Sequence, residues 1–301
     1  MKKMISAGLI LGVAAVTGFA DVNKAPSFQK IEKEIMTTES YGLKPVNNAE
    51  KNQIQRIIGL PKNMIRFYGK KRGPKEGLVE YVLTMKGRPL VLYKNTKQGY
   101  YIAGYIFDKN GKNLTVNEVK NTFDKIAKEQ YKNFFTQIKK KAPDFVIELK
   151  GQGPKDKMVV IYTDPQCPFC ERFEKQFKGL EYLQKHYGKI YVVEFPLYFH
   201  KEAEQRVYWI ISNVKKAKDS GEKIRIIKEG STKSYDEIVK ENKQNKADYS
   251  KQLKAMRSIQ SPMNFGTPSI TDEKGNNIRE RVIKEIMKNN FHLKDSQISI
   301  K

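Results

Sequence analysis

The chain has 301 residues, 39% of them hydrophobic and 30% charged, enough length for two domains that each bury a core. That balance argues against wholesale disorder and against a polytopic membrane protein. With 57 Lys+Arg against 33 Asp+Glu the formal net charge is +24, while two cysteines and three histidines argue against a zinc framework or a disulfide-stapled scaffold.

Met1 to Ala20 reads as a signal peptide. Lys2 and Lys3 form a positive start, Leu9 to Val16 an apolar core too short to span a bilayer, and Gly18 and Ala20 the small residues before a cleavage site. The mature protein is therefore expected in the periplasm. Its lysines are scattered and paired with acids, as in Lys139-Lys140-Lys141 ahead of Asp144, and no basic stripe is interleaved with stacking aromatics. The charge reads as a solvated cationic surface, and nucleic acid is not an expected partner.

Ser27 to Met36 and Ala49 to Ile58 have helical patterns, the second placing Ile54, Ile57 and Ile58 on one face, with Gly59-Leu60-Pro61 as its stop. Short runs at Leu78–Met85, Pro89–Lys94 and Tyr100–Phe107 predict a small curved antiparallel sheet. Thr115 and Glu118 are spaced as a capping box for a long helix that carries Val119, Phe123, Ile126, Phe134, Phe135 and Ile138 and stops before Pro143. Such a helix can serve as a rigid linker between two blocks.

From Asp144 the pattern becomes α/β. Met158 to Tyr162 is a buried type of strand. A helix with Phe173, Phe177 and Leu180 facing inward follows, and then a second strand from Ile190 to Phe195. A lysine-rich helical segment from Ala203 to Arg257 carries the only tryptophan, Trp209. A turn at Lys274-Gly275-Asn276 and a helix around Val282 to Asn290 close the chain.

The two cysteines, Cys167 and Cys170, are three apart, after a buried strand and at the head of a helix. A thiolate rather than a thiol attacks a disulfide, and a helix N-terminus stabilises that anion. Cys167 at the N-cap is assigned as nucleophile, Pro168 at the first helical position, and Cys170 as the resolving, less exposed thiol with which it forms a disulfide. A metal half-site would need two further ligands, which His186, His200 and His292 are not spaced to provide. A purely structural disulfide across so tight a loop would stabilise little. No metal or cofactor is expected, and the sequence assigns no role to His200.

Gly266-Thr267-Pro268 is the second signal. An X-Pro at the head of a late strand, downstream of a redox Cys-x-x-Cys, is where a cis proline would lie beside the sulfurs. It would leave the backbone of Thr267 open to a substrate strand.

Thr163-Asp164-Pro165-Gln166-Cys167-Pro168-Phe169-Cys170, the helix behind it and Gly266-Thr267-Pro268 resemble the periplasmic DsbC/DsbG family of thiol:disulfide interchange proteins. Leu78 to Phe107 resembles that family's dimerisation sheet, and Cys-Pro-aromatic-Cys is closer to DsbG. The resemblance implies an α+β fold followed by α/β: a signal peptide (1–20), a cystatin-like dimerisation domain with extra N-terminal helices (21–112), a linker helix (113–142) and a thioredoxin-like catalytic domain with a helical insertion (143–301). It also implies a V-shaped homodimer, with Thr267, Pro268, Pro168 and Phe169 meeting substrate. The position six before Cys167 is Ile161 rather than a carboxylate, so the buried proton acceptor of thioredoxin is missing there, and Asp164 need not replace it. The polar stretch from Thr271 to Arg281 leaves the closing strand of that fold open.

These features predict a disulfide isomerase or reductase with chaperone activity, acting on unfolded or misoxidised exported proteins and kept reduced by a membrane electron carrier. A dithiol oxidase on the same scaffold is the alternative, because direction follows from reduction potential and partner. A holdase chaperone is the alternative of another class.

Overall fold

The computed structural model describes residues 42–291, apart from Gly87 and residues 263–264. The expected signal peptide and the expected Ser27–Met36 helix lie outside the described residues.

The first helix, α1 (Asn48–Ile58), begins on Asn47. The Asn47 side chain accepts from the Glu50 N–H while the Glu50 carboxylate takes the Asn47 N–H, and Gly59 ends the helix at φ +71. Ile54 is fully buried, but Ile57 is 52% exposed, so the expected three-isoleucine face turns only partly inward. Four antiparallel strands follow in sequential order: β1 (Ile65–Arg72), β2 (Leu78–Met85), β3 (Arg88–Asn95) and β4 (Tyr101–Ala103). Sequence reasoning misses β1, because Arg66, Lys70, Lys71 and Arg72 mask its alternation. It also overextends β4: beyond Ala103 only an isolated bridge pairs Phe107 with Asn113. Central strand β2 is buried on both faces. Val82 packs with Val91, Tyr93, Phe123 and Ile126 on one side, while Tyr81 and Leu83 pack with Ile54 on the other.

Helix α2 (Leu114–Lys141) is capped by Asn113, whose side chain accepts from the Val116 N–H. This corrects the expected Thr115 cap. The Thr115 hydroxyl is buried instead and accepts from the Ile106 N–H at 2.9 Å and from the Tyr93 hydroxyl at 3.2 Å. Leu114 to Lys141 is 28 residues in one helix, and its apolar face is divided between two cores. Phe123 and Ile126 seal the first sheet, whereas Tyr131, Phe134 and Ile138 enter the core of the second. The helix is thus packed against both sheets.

The second sheet has the order β5-β7-β6-β8, from β5 (Val146–Lys150), β6 (Met158–Thr163), β7 (Lys189–Glu194) and β8 (Ser269–Asp272). Strands β6 and β7 run parallel, and the edge strands β5 and β8 are antiparallel to their neighbours. Side chains alternate across the sheet. Val159 and Ile161 face one core and Val160 and Tyr162 the other, so helices cover both faces. The single helix expected after the cysteines is two, α3 (Pro168–Lys175) and α4 (Gly179–His186), divided at Lys178 with φ +48. Gly179 allows the close approach there, since a Cβ would lie 2.0 Å from the Phe173 ring. The lysine-rich segment is four helices, α5 (Ala203–Val214), α6 (Ser220–Thr232), α7 (Tyr235–Gln244) and α8 (Ser250–Arg257). Trp209 in α5 is buried and donates to Glu241 of α7 at 2.5 Å. After β8 only the isolated Thr271–Asn277 bridge precedes α9 (Arg279–Phe291).

Phe134 of α2 lies 5.5 Å from the Tyr162 ring, 5.6 Å from Phe195 and 5.1 Å from Phe265. Phe134→Ala is expected to cost about 3–5 kcal/mol, read as a lower urea midpoint of unfolding.

Candidate active site

Strand β6 delivers the chain to the site, and one carboxylate shapes the turn that follows. Asp164 is fully buried, and its Oδ1 accepts from the Gln166 N–H at 2.7 Å. Its Oδ2 takes the Leu197 N–H at 2.7 Å and meets His200 Nδ1 at 3.0 Å. The Asp164 carbonyl accepts from the Cys167 N–H at 3.1 Å. The short Asp side chain thus holds its own turn and fastens to it the loop after β7. That loop displays Tyr198 (82% exposed) and Phe199 (57%), while Phe169 (57%) and Pro168 are exposed beside the cysteines. Sequence reasoning leaves His200 without a role. The structure makes it a partner of Asp164.

Cys167 occupies the N-cap of α3, with extended backbone and no side-chain capping bond. Its sulfur is therefore free to face the unsatisfied N–H groups of the first turn. The Cys167 thiol is pulled down to about 5, chiefly because the Cys170 S–H stabilises its thiolate. Burial opposes this, and the N–H groups of Cys170 and Phe169 assist. Burial and the neighbouring Cys167 hold the Cys170 thiol well above its ordinary value. Both cysteines are free thiols. Cys167 is 5% exposed and Cys170 4%, so the expected contrast in exposure between them is absent. Their difference lies in what surrounds each sulfur.

The Thr267–Pro268 peptide bond is cis, and both residues are buried. The Thr267 carbonyl accepts from the Cys167 thiol at 3.3 Å. The chain thus brings together Cys167, Cys170 and Thr267 across 100 residues of sequence. Among the described residues no cluster of His, Cys, Asp or Glu is placed to hold a metal ion.

Two further carboxyl groups near the site escape sequence reasoning. Glu194, the last residue of β7, is fully buried, and Glu174 of α3 has a side chain only 17% exposed. Burial pushes each up to about 8. Glu194 reads in sequence as the polar end of an apolar strand and Glu174 as an ordinary helix residue. Only the packing above them marks them out.

Alkylation of Cys167 by iodoacetamide is expected to rise with a midpoint near pH 5, with Cys170 unreactive until well above pH 9. Cys170→Ala should move the first midpoint upward. A depressed native pKa means that the unfolded chain binds more protons between about pH 5 and 9. The Cys167 contribution to stability of the reduced protein therefore grows as pH rises through that window and is lost as pH falls through it. Cys167→Ser should remove that slope in a series of urea titrations.

A family model described as a thioredoxin-like domain matches residues 144–282, a little under half of the chain. The thiol:disulfide interchange protein DsbG of Pseudomonas aeruginosa is 24% identical over 102 residues, which cover 34% of this chain and 37% of that relative. A solved DsbG from Helicobacter pylori aligns over 73% of this chain and 97% of its own, at 16% identity and a TM-score of 0.36. A linker-deletion variant of ScsC from Proteus mirabilis aligns over 58% and 90%, at 16% identity and a TM-score of 0.37. Residues 144–282 are a thioredoxin-like domain, and the chain resembles the DsbG-type thiol:disulfide interchange proteins.

Proposed function

We propose that the chain is a thiol:disulfide oxidoreductase of the periplasm that acts as a disulfide isomerase or reductase on exported proteins. The observation that carries this reading is the pair of free thiols at the head of α3, with the Cys167 sulfur against the Thr267 carbonyl of the cis Thr267–Pro268 bond. The Cys167 thiolate attacks one sulfur of a substrate disulfide, the substrate S–S bond breaks, and the leaving sulfur takes a proton. The mixed disulfide is then resolved by a thiol of the substrate, which returns Cys167 reduced, or by Cys170, which leaves the pair as a disulfide. Thr267 beside the sulfur and the exposed Pro168 and Phe169 meet the substrate chain in this reading. A membrane electron carrier returns the pair to the dithiol.

The same stabilised thiolate supports a second reading. Favouring the dithiol over the disulfide makes the disulfide form an oxidant, so a chain kept oxidised by its partner would act as a dithiol oxidase. Dimerisation favours the isomerase, because it shields the thiols from an oxidase's recycling partner. Tyr105 and Phe107 lie after edge strand β4, 68% and 55% exposed with ring centroids 6.5 Å apart, an apolar surface suited to pairing two copies.

The test is refolding of a scrambled multi-disulfide substrate with catalytic amounts of reduced protein. Recovery of native activity, falling to the uncatalysed background with Cys167→Ser, is the expected result. No recovery, together with rapid oxidation of a reduced substrate by the disulfide form, would establish the oxidase. Suppression of aggregation that survives loss of both cysteines would show a holdase activity separate from exchange. Phe107→Glu is expected to shift the sedimentation coefficient from dimer to monomer.

A further inference from the structure

A cavity of about 480 Å³ has Ile161, Thr163, Cys170, Glu174 and Glu194 among its lining residues. Ile161, six residues before Cys167, supplies only hydrocarbon. A carboxyl group reaches the same space from the neighbouring strand. In the parallel β6–β7 register Glu194 is the partner of Thr163. The Thr163 side chain in turn contacts the Cys170 thiol. Glu194 is fully buried, and neither of its carboxyl oxygens has a hydrogen-bond partner. A buried polar group left in that state is costly unless the fold uses it.

We propose that Glu194 takes the proton of Cys170 when Cys170 resolves a mixed disulfide and returns it when the pair is reduced. This inference rests on the thiol–disulfide exchange read above. In resolution the Cys170 S–H proton passes to the Glu194 carboxylate through the cavity, and the new thiolate attacks the Cys167 sulfur. The Cys167–substrate bond breaks, and the substrate thiolate leaves and is protonated from solvent. The cysteine pair is oxidised by two electrons and the substrate is reduced by two.

The charges around the cavity fit this role. Asp164 at the end of β6 and Glu174 of α3 both add to burial in favouring the protonated form of Glu194, which is pushed up to about 8. From α3 the rim also carries Glu171 and Lys175, with Lys178 in the turn after it and Glu181 in α4. Helix α6 contributes Arg225, Lys228 and Glu229. Lys228 lies 4.0 Å from Glu174 and favours its ionised form. Two of the causes that hold Cys170 protonated come from Cys167 itself. Once Cys167 is tied up in a mixed disulfide its negative charge is gone, and the Cys170 proton becomes easier to remove at the step that needs it.

The experiment mixes reduced protein with 5,5′-dithiobis(2-nitrobenzoate) in a stopped-flow instrument. Attack by Cys167 releases one thionitrobenzoate, and resolution by Cys170 releases a second. Glu194→Gln, which matches the shape of the protonated carboxyl, is expected to leave the first phase unchanged and to slow the second about a hundredfold at neutral pH. It should also remove the inflection near pH 8 from the second phase, with Glu194→Asp restoring part of the rate. A retained first phase shows that the variant is folded at the site. A second phase of wild-type rate and pH profile in Glu194→Gln would overturn the inference and leave the exchange reading standing. In wild-type protein, a second phase with no inflection between pH 7 and 9 would likewise overturn it. Absence of both phases in wild type would remove the exchange reading, and this inference with it.

Discussion

A single negative charge, on the sulfur of Cys167 at the head of α3, is the feature that the rest of the thioredoxin-like half is arranged to hold. A thiolate in a buried place is expensive, because burial favours the neutral form. Here burial is outweighed by donors that the fold converges on one atom: the Cys170 S–H and two backbone N–H groups of the first helical turn. None of these acts unless β6 and the Asp164 turn are in place. The site is thus a local consequence of a nonlocal sheet.

Asp164 connects the two scales. By satisfying the turn before Cys167 and the loop that bears Tyr198 and Phe199, one buried side chain fixes both Cys167 and the exposed aromatic residues of that loop. The pair of cysteines is equally closed to solvent, so the division of labour between them is electrostatic rather than a matter of access. The buried carboxyl groups that line a cavity with Cys170 extend the same logic. Donors to the Cys167 sulfur stabilise an anion, while burial raises the proton affinity of the two acids.

Helix α2 ties this half to the antiparallel sheet before it. Its aromatic residues are not a continuous stripe against one partner. They divide near the helix middle, with Phe123 and Ile126 serving one core and Tyr131, Phe134 and Ile138 another. A long helix packed in this way transmits position between the two sheets with little freedom to bend, since bending would open close-packed aromatic contacts at one end or the other.

The sequence by itself determined the elements whose signal is local. Helix α2, strands β2, β3, β6 and β7, the Cys167–Cys170 motif at a helix start and the Gly266-Thr267-Pro268 loop are legible as patterns of a few residues. The lysines and arginines of strand β1 hide its alternation, and Asn113 and Thr115, two positions apart, offer the same capping chemistry at the start of α2. The burial of Cys167, the union of Asp164 with His200 and the cavity that Glu194 shares with Cys170 arise only in the tertiary structure. Each depends on a neighbour supplied by a different strand or loop. A carboxylate's proton affinity follows from the space around it, and that space exists only after β6 and β7 have paired.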